Sequence, residues 1–415
     1  MRLAVVSPFI DRHHGTESCI SEQLERLASQ YGWEIHLYSQ RVDEIQTFDP
    51  SDTPAENTIG KIIWHKVSDI SAPHLLKYLW WFVANHLRRW RDRLLGKTEI
   101  ELTYSPGINC FDADAIVVHI VFHEFFSRVR SELQLHGLPW KSWFIVLHRK
   151  LYYKLAMILE RKIYRDPGVR LVAVSTLVAQ HLKTHFDRTD VSVIPNAVDT
   201  MRFTPEARLN SRSATRRFFR YSDDDFVLLI IGNDWRNKGL DFLLRAFTHL
   251  CDLPLHLLVV GSDDPRPYQT HLSDSGVRDR VRFESPIPDV LSFYSAADVY
   301  VSPSLEDAFG LPIVEAMACG LPVIASIHAG ASEFIRNGET GLLLSNPRDP
   351  SEIASLVQRL FADRSLRGKM GVAASQYVQA NCGWDQNALK TRDFLEATLR
   401  ERHSLRDRHL FSKGG

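Results

Sequence analysis

Residues 303–326 read PSLEDAFGLPIVEAMACGLPVIAS, with carboxylates at Glu306, Asp307 and Glu315 set among glycines and between two apolar runs. The run before, ADVYVSP, and the run after, PVIAS, have the β-branched, apolar character of buried strands. What lies between reads as a loop and a short helix, with Pro312 where a first turn tolerates proline and Gly320 where a helix stops. Such a helix points its free amides and the positive end of its dipole at the carboxyl end of a parallel strand, a setting that favours phosphate. Glu315 in that turn is wrongly charged for phosphate. It suits hydroxyls, as on a ribose or a sugar, so the stretch asks for a ligand that carries both groups.

A second candidate group lies in IIGNDWRNKGLDFLL, where Arg236 and Lys238 fall between a strand end and a helix. Cations there can neutralise a diphosphate, although loop arginines and lysines are most often simply solvated. At the first β–α turn, SPFIDRHHGTES, the backbone of Gly15 and Thr16 could approach a ligand or form a plain turn. The absence of GxGxxG removes the main support for dinucleotide binding. His119 sits in AIVVHIVFHEF, read as an otherwise apolar strand, with His123 as a competitor; histidines in such places are more often structural. YSDDDF and GSDDP read as turns, in which Asp bonds its own backbone, and no metal site is expected.

Two α/β alternations must position these residues. RLAVVSPF, ESCISEQLERLASQYG and WEIHLYSQ give a β-α-β start, and KIIWHKV, AIVVHIVF, RLVAVS and VSVIPN add strands, the last two flanking the helical TLVAQHLKTHF. The Arg-rich stretch RFTPEARLNSRSATRRFFRYSDDD reads as a linker. Beyond it, FVLLIIGN, LHLLVVG, VRFES, VYVSPS and PVIAS alternate with helical segments. The expected fold class is α/β, two doubly wound Rossmann-like domains facing each other across a cleft. Their expected extents are 1–196 and 197–383, followed by a C-terminal helix over 384–415 that returns toward the first domain and ends in a disordered tail, SLRDRHLFSKGG.

Composition narrows the partners. The 415 residues suffice for two domains, and 50 basic against 50 acidic residues give no global bias toward nucleic acid, which is not expected as a partner. Five dispersed cysteines without a CxxC spacing suggest neither a disulfide framework nor zinc, and point to a reducing cytoplasm. No signal peptide or run of about 20 apolar residues is apparent.

Together, LVAVSTLVAQHL, VIPNAVDTMRF, GNDWRNKGLDFLLRAF, LVVGSD, DAFGLPIVEAMACGLPVIAS and AGASEFIRNGETGLLL resemble glycosyltransferase family 4, the retaining, sugar-nucleotide-dependent enzymes of the GT-B fold, over most of residues 170–390. The resemblance implies transfer of a sugar from a nucleoside diphosphate sugar to a glycan or lipid-linked hydroxyl, as in polysaccharide or lipopolysaccharide synthesis, with no cofactor and no metal. It implies that Glu315 holds the ribose, that Asp307 and the backbone of Phe309, Gly310 and Leu311 meet the sugar and diphosphate, that Lys238 supplies a cation, and that His119 is the active-site histidine. The family's two acids are separated by seven residues; Asp307 meets that spacing where Glu is usual, and Glu306 is the alternative. Asn233 stands where the family has arginine, with Arg236 as the substitute, and His14-Gly15 stands for a paired glycine. The rival readings are a degenerate GT-B nucleotide or glycan binder and a sugar-nucleotide epimerase.

Residues 74–97 and 140–165 mix Trp, Tyr and Phe with Lys and Arg. Read as helices, they suit the headgroup region of an anionic membrane, which would place the protein peripherally on its inner face. Core-packing helices with solvated basic faces are the other reading.

Overall fold

Short aliphatic and β-branched runs form two large, wholly parallel sheets, whose central strands can be apolar throughout because both faces are covered, beside a two-stranded parallel pair of Phe9–Ile10 and Arg41–Val42. The computed structural model describes residues 1–12, 15–49, 60–96, 99–129, 140–273 and 276–412. Contacts divide the chain into two units, Met1–Pro195 with the chain from Asn387 onward, and Asn196–Gln386.

In the first unit the strand order is Lys61–Lys66, Glu34–Ser39, Arg2–Val6, Leu102–Pro106, Ala115–Val118, Arg170–Ala173 and Ser192–Val193. Val5 stands opposite Leu37 on one side and Tyr104 on the other, so the winding reverses beside the first strand. TLVAQHLKTHF is a helix over Thr176–Phe186, capped by the Ser175 hydroxyl, which accepts from the Val178 amide, and closed by Asp187 at φ 63°. The strand carrying AIVV ends at Val118, so His119 lies just beyond it rather than within it, and the following VFHEF opens a helix, Phe122–Val129. The apolar run thus spans a strand end and a helix start, which hydropathy alone does not separate.

The two aromatic, basic segments are helices, His74–Leu94 and Trp140–Tyr164. Part of their aromatic content is core: Trp81 and Phe82 are buried, and the Trp81 indole donates to Asn109 Oδ1 at 3.2 Å. Two of the arginines are also turned inward. Arg89 is buried and donates twice to Asp112, at 2.7 and 2.8 Å, and Arg88 donates to Asp92 at 3.0 Å. Buried Asp92 also accepts from His65 at 2.8 Å, and burial first of all lowers that imidazole to a pKa of about 4. The side chains of 140–145 lie outside the described residues.

The C-terminal helix runs from Trp384 to Ser412, so SLRDRHLFS is helical rather than a disordered tail, while 413–415 lie outside the described residues. It is tied to the first unit by Gln23, which donates to Asn387 Oδ1 at 2.9 Å, and by Arg402, which donates to Asp114 at 2.7 Å.

The second sheet has the order Val281–Glu284, Leu255–Val260, Phe226–Ile231, Val299–Ser302, Val323–Ser326, Leu342–Leu344. Its core joins Leu228, Ile230, Leu257, Val259, Val299 and Val301 to Leu243, Leu244 and Phe247. Burying each such side chain contributes roughly 1.5–3 kcal/mol. Winding reverses between Phe226–Ile231 and Val299–Ser302, where Leu228 faces Val299. In open α/β sheets ligands bind outside the carboxyl ends of strands at such a reversal.

The stretch read as an Arg-rich linker is instead a helix, Pro205–Phe219, capped by the Thr204 hydroxyl and stopped by Arg220 at φ 60°. Its arginines point inward: Arg208 donates to the Cys319 carbonyl at 2.9 Å, Arg212 to the Ala297 carbonyl at 2.9 Å, and fully buried Arg216 to Asp298 at 2.6 Å. Asp298 also accepts from the Val227 amide at 2.8 Å. The charge pattern of a solvated tether is here a set of partners for loop carbonyls and one acid.

Candidate active site

Two loops meet at the reversal of the second sheet. The first leaves Ile231 and runs through Gly232-Asn-Asp-Trp-Arg-Asn-Lys-Gly239 into the helix Leu240–His249. Trp235 is buried and anchors it, while Gly239 caps the helix at φ 77°. A Cβ on Gly239 would strike the Pro303 carbonyl, so only glycine lets this turn lie against the second loop. Asn237 fastens the two loops. Its side-chain amide donates to the Glu306 carbonyl at 2.7 Å, and its own carbonyl accepts from the Leu305 amide at 2.8 Å.

On that second loop, Asp307 donates its amide to the His328 carbonyl at 3.0 Å, and its carbonyl accepts from the Gly330 amide at 2.9 Å. Phe309 is buried against Phe334, and its carbonyl accepts from the Ala331 amide at 2.6 Å. Held at both carbonyls, the loop sets the Asp307 carboxylate against the Lys238 ammonium in a part-buried ion pair. Lys238 lies over Gly232, where a Cβ would come within 2.9 Å of its Cε. Gly310 follows at φ 89° and caps the helix Leu311–Ala318, with Pro312 in the first turn as the sequence predicts. Gly320, at φ 69°, ends it.

Glu315 lies at the fifth position of that helix, beyond the opening turn. It accepts the Tyr294 hydroxyl at 2.5 Å. Burial raises its carboxyl pKa, while the Tyr294 hydrogen bond and the charge of Arg202 oppose the rise. Burial likewise lifts the Tyr294 phenol well above its ordinary value, so it stays a donor at neutral pH. The site therefore offers a cation held by an acid, amides at a glycine-capped helix start, and a separate carboxylate with acceptor capacity to spare.

Lys238, Asp307, Phe309, Gly310, Leu311 and Glu315 thus come together in the second unit, with Arg236 exposed on the first loop. Asn233, where the resemblance places arginine, accepts the Ser262 amide at 2.9 Å and fastens the adjoining loop. Gly15, Thr16 and His119 belong to the first unit. Gly15 opens the helix Gly15–Tyr31 and a Cβ there would meet nothing within 4 Å; Thr16 is in its first turn; His14 lies outside the described residues. His119 is half-buried at a strand's carboxyl end. The competitor His123 is held by buried Glu160, Nδ1 to Oε2 at 2.6 Å, and that acid also accepts the Phe122 amide at 2.6 Å. Sequence reasoning missed Asn237, Tyr294 and Arg202. Only the position of Asn237 beside Lys238 carried a signal.

Residues 225–363 match the family model described as Glycosyl transferases group 1, and residues 13–202 match Glycosyltransferase Family 4. The D-inositol 3-phosphate glycosyltransferase of Paenarthrobacter aurescens (strain TC1) is 34% identical over 237 residues, 54% of this chain and 57% of that protein. The protein of the same name from Geodermatophilus obscurus is 36% identical over 213 residues, 48% of this chain and 46% of its own length. The chain thus spans about half the length of the curated relatives it matches. Among solved structures, WaaG, a glycosyltransferase involved in lipopolysaccharide biosynthesis, has a TM-score of 0.72 at 18% identity, covering 94% of this chain and 99% of its own. Sucrose-phosphate synthase from Thermosynechococcus elongatus has a TM-score of 0.74 at 21% identity, with coverage of 97% and 100%. Anabaena HepE in complex with UDP-glucose has a TM-score of 0.64 at 18% identity, with coverage of 96% and 100%. These likenesses carry the fold, two parallel-sheet α/β domains of GT-B type.

Proposed function

We propose that this chain, whose residues 13–202 match the Glycosyltransferase Family 4 model and 225–363 the Glycosyl transferases group 1 model, moves a sugar from a nucleoside diphosphate sugar to a hydroxyl of a glycan or lipid-linked acceptor. The anomeric configuration is kept, and the reaction belongs to cell-surface polysaccharide or glycolipid synthesis in the cytoplasm. The observation that carries this reading is the Lys238–Asp307 pair at the sheet reversal, beside the Gly310-capped helix that bears Glu315.

As the bond from the anomeric carbon to the diphosphate breaks, its electron pair stays on the leaving oxygen and negative charge grows there. Lys238, helped by Arg236 and by the amides at Gly310 and Leu311, stabilises that charge more in the transition state than in the ground state. The ammonium has three donors, so it can keep Asp307 and still reach a phosphate oxygen. The acceptor oxygen forms the new bond on the face from which the diphosphate departs, and its proton passes to the leaving phosphate oxygen. Glu315 accepts from ribose hydroxyls. No metal ion is required in this reading, so a chelator should leave the rate unchanged. The roles given to Gly15, Thr16 and His119 stand as proposals for the first unit.

The test is incubation with radiolabelled UDP, GDP and ADP sugars, first alone and then with acceptors. D-inositol 3-phosphate, named in the relatives, belongs in that panel. Slow hydrolysis of one donor, turning into transfer when an acceptor is added, is expected. Tight binding without turnover of any donor would leave a degenerate binder as the better account.

A further inference from the structure

On the helix His74–Leu94, the residues Leu76, Leu79, Val83, Leu87, Trp90 and Leu94 are all between 44% and 65% exposed. Their spacing of three and four puts them on one face, within about 40° of its centre line at 100° per residue. Isolated exposed leucines need no explanation, but a continuous stripe of this length marks an interaction site. Exposed Lys77 and Arg91 border the stripe on one side and exposed Arg93 borders the other. The helix has one acid, Asp92, which is buried and taken up by His65 and Arg88. The outward face is therefore apolar and cationic with no anion on it.

The neighbouring helix Trp140–Tyr164 repeats the combination. Leu147, Leu151 and Ile158 are exposed with Lys154 among them, and its one described acid, Glu160, is buried. Tyr78 and Tyr152, with ring centroids 5.5 Å apart, join the two helices. No helix among the described residues is long and apolar enough to cross a membrane. An amphipathic helix with an apolar stripe between cations, and acids withdrawn from it, suits the boundary between headgroups and acyl chains of an anionic bilayer.

We propose that the face formed by Leu76, Leu79, Val83, Leu87, Trp90 and Leu94, bordered by Lys77, Arg91 and Arg93, docks on an anionic membrane surface. The purpose of docking rests on the lipid-linked acceptor of the reading above; its physics does not. Arg88 and Arg89, turned inward, take no part.

Co-sedimentation of the full chain with vesicles tests it, using phosphatidylcholine alone and phosphatidylcholine mixed with an equal amount of phosphatidylglycerol. Binding is expected to be strong only with phosphatidylglycerol and to fall as salt rises. Replacing Lys77, Arg91 and Arg93 together by Gln should weaken it on the order of a hundredfold, about fivefold per cation. Replacing Val83, Leu87 and Trp90 by Ser should weaken it by about tenfold per residue even at low salt, with an unchanged melting temperature because these side chains are exposed. Donor hydrolysis without vesicles should be unaltered in both variants, so docking and transfer fail or stand separately. Equal binding to both vesicles, no binding to either, or a dimer that the Ser variant abolishes would overturn the proposal, the last in favour of a second copy on this face.

Discussion

At Lys238 the cost of losing one group should separate cleanly into chemistry and folding. On the proposed function, Lys238→Ala removes a preorganised cation from a growing charge, and turnover should fall by about 10²–10³ while the melting temperature moves little. A normal rate in the folded variant would remove the lysine from the mechanism. Between the adjacent acids, Asp307 carries the ion pair and Glu306 offers its carbonyl to Asn237. Asp307→Asn should therefore be severely impaired and Glu306→Gln mostly active. For Glu315 the expected signs differ between binding and stability. A carboxyl whose pKa is raised by burial is, when ionised, a cost to folding that sets in as pH rises past its unfolded value. Glu315→Gln should thus melt no earlier than the parent at neutral pH, yet bind nucleotide more weakly by roughly 1.5–3 kcal/mol. In the parent, nucleotide binding should decline as pH falls at values above the ordinary carboxylate range. Early melting with normal binding would make Glu315 structural.

At the scale of elements, the strand–loop–helix around Asp307 was legible because its signals are local: an apolar run, a proline in the first turn, a glycine at each end. The pairing of Lys238 with Asp307 crosses 69 residues and follows no period. It could be anticipated only through the family resemblance. Nor did the arginines of Pro205–Phe219 disclose their direction, since an inward-facing arginine and a solvated one have the same letter. Arg216 gives that helix its test. Removing the guanidinium leaves Asp298 with Arg212 as its remaining ion-pair partner and strands the Ala296, Ser222 and Asp225 carbonyls, so Arg216→Ala should lose about 1–3 kcal/mol of stability in denaturant unfolding. Asn237→Ala should act more mildly, about 1 kcal/mol, but slow turnover by loosening the loop that carries Asp307. If stability and rate fall in step, Asn237 merely supports the fold.

For the molecule as a whole, the fold class followed from alternating strands and helices, and the comparisons bear out both the fold and the family. Donor identity did not follow, because backbone groups that meet a base leave no residue code. A thermal-shift series with UDP, GDP and ADP sugars should pick out one base, since a ligand bound only by the folded state raises its stability by RT ln(1 + [L]/Kd). Equal shifts with all three would mean that the site holds the diphosphate and ribose and ignores the base.

The pairing of Lys238 with Asp307 also bears on the end of the catalytic cycle. On the proposed function, a nucleoside diphosphate leaving this site would not strand a half-buried ammonium, because Asp307 already stands beside it as a resident counter-ion. Departure would then be an exchange of partners, which keeps the spent nucleotide from clinging to the site. Asp307→Asn abolishes the exchange. In that variant the nucleoside diphosphate product should bind more tightly than in the parent and dissociate more slowly. Calorimetry with UDP, GDP and ADP will reveal whether the aspartate is what keeps product from becoming inhibitor.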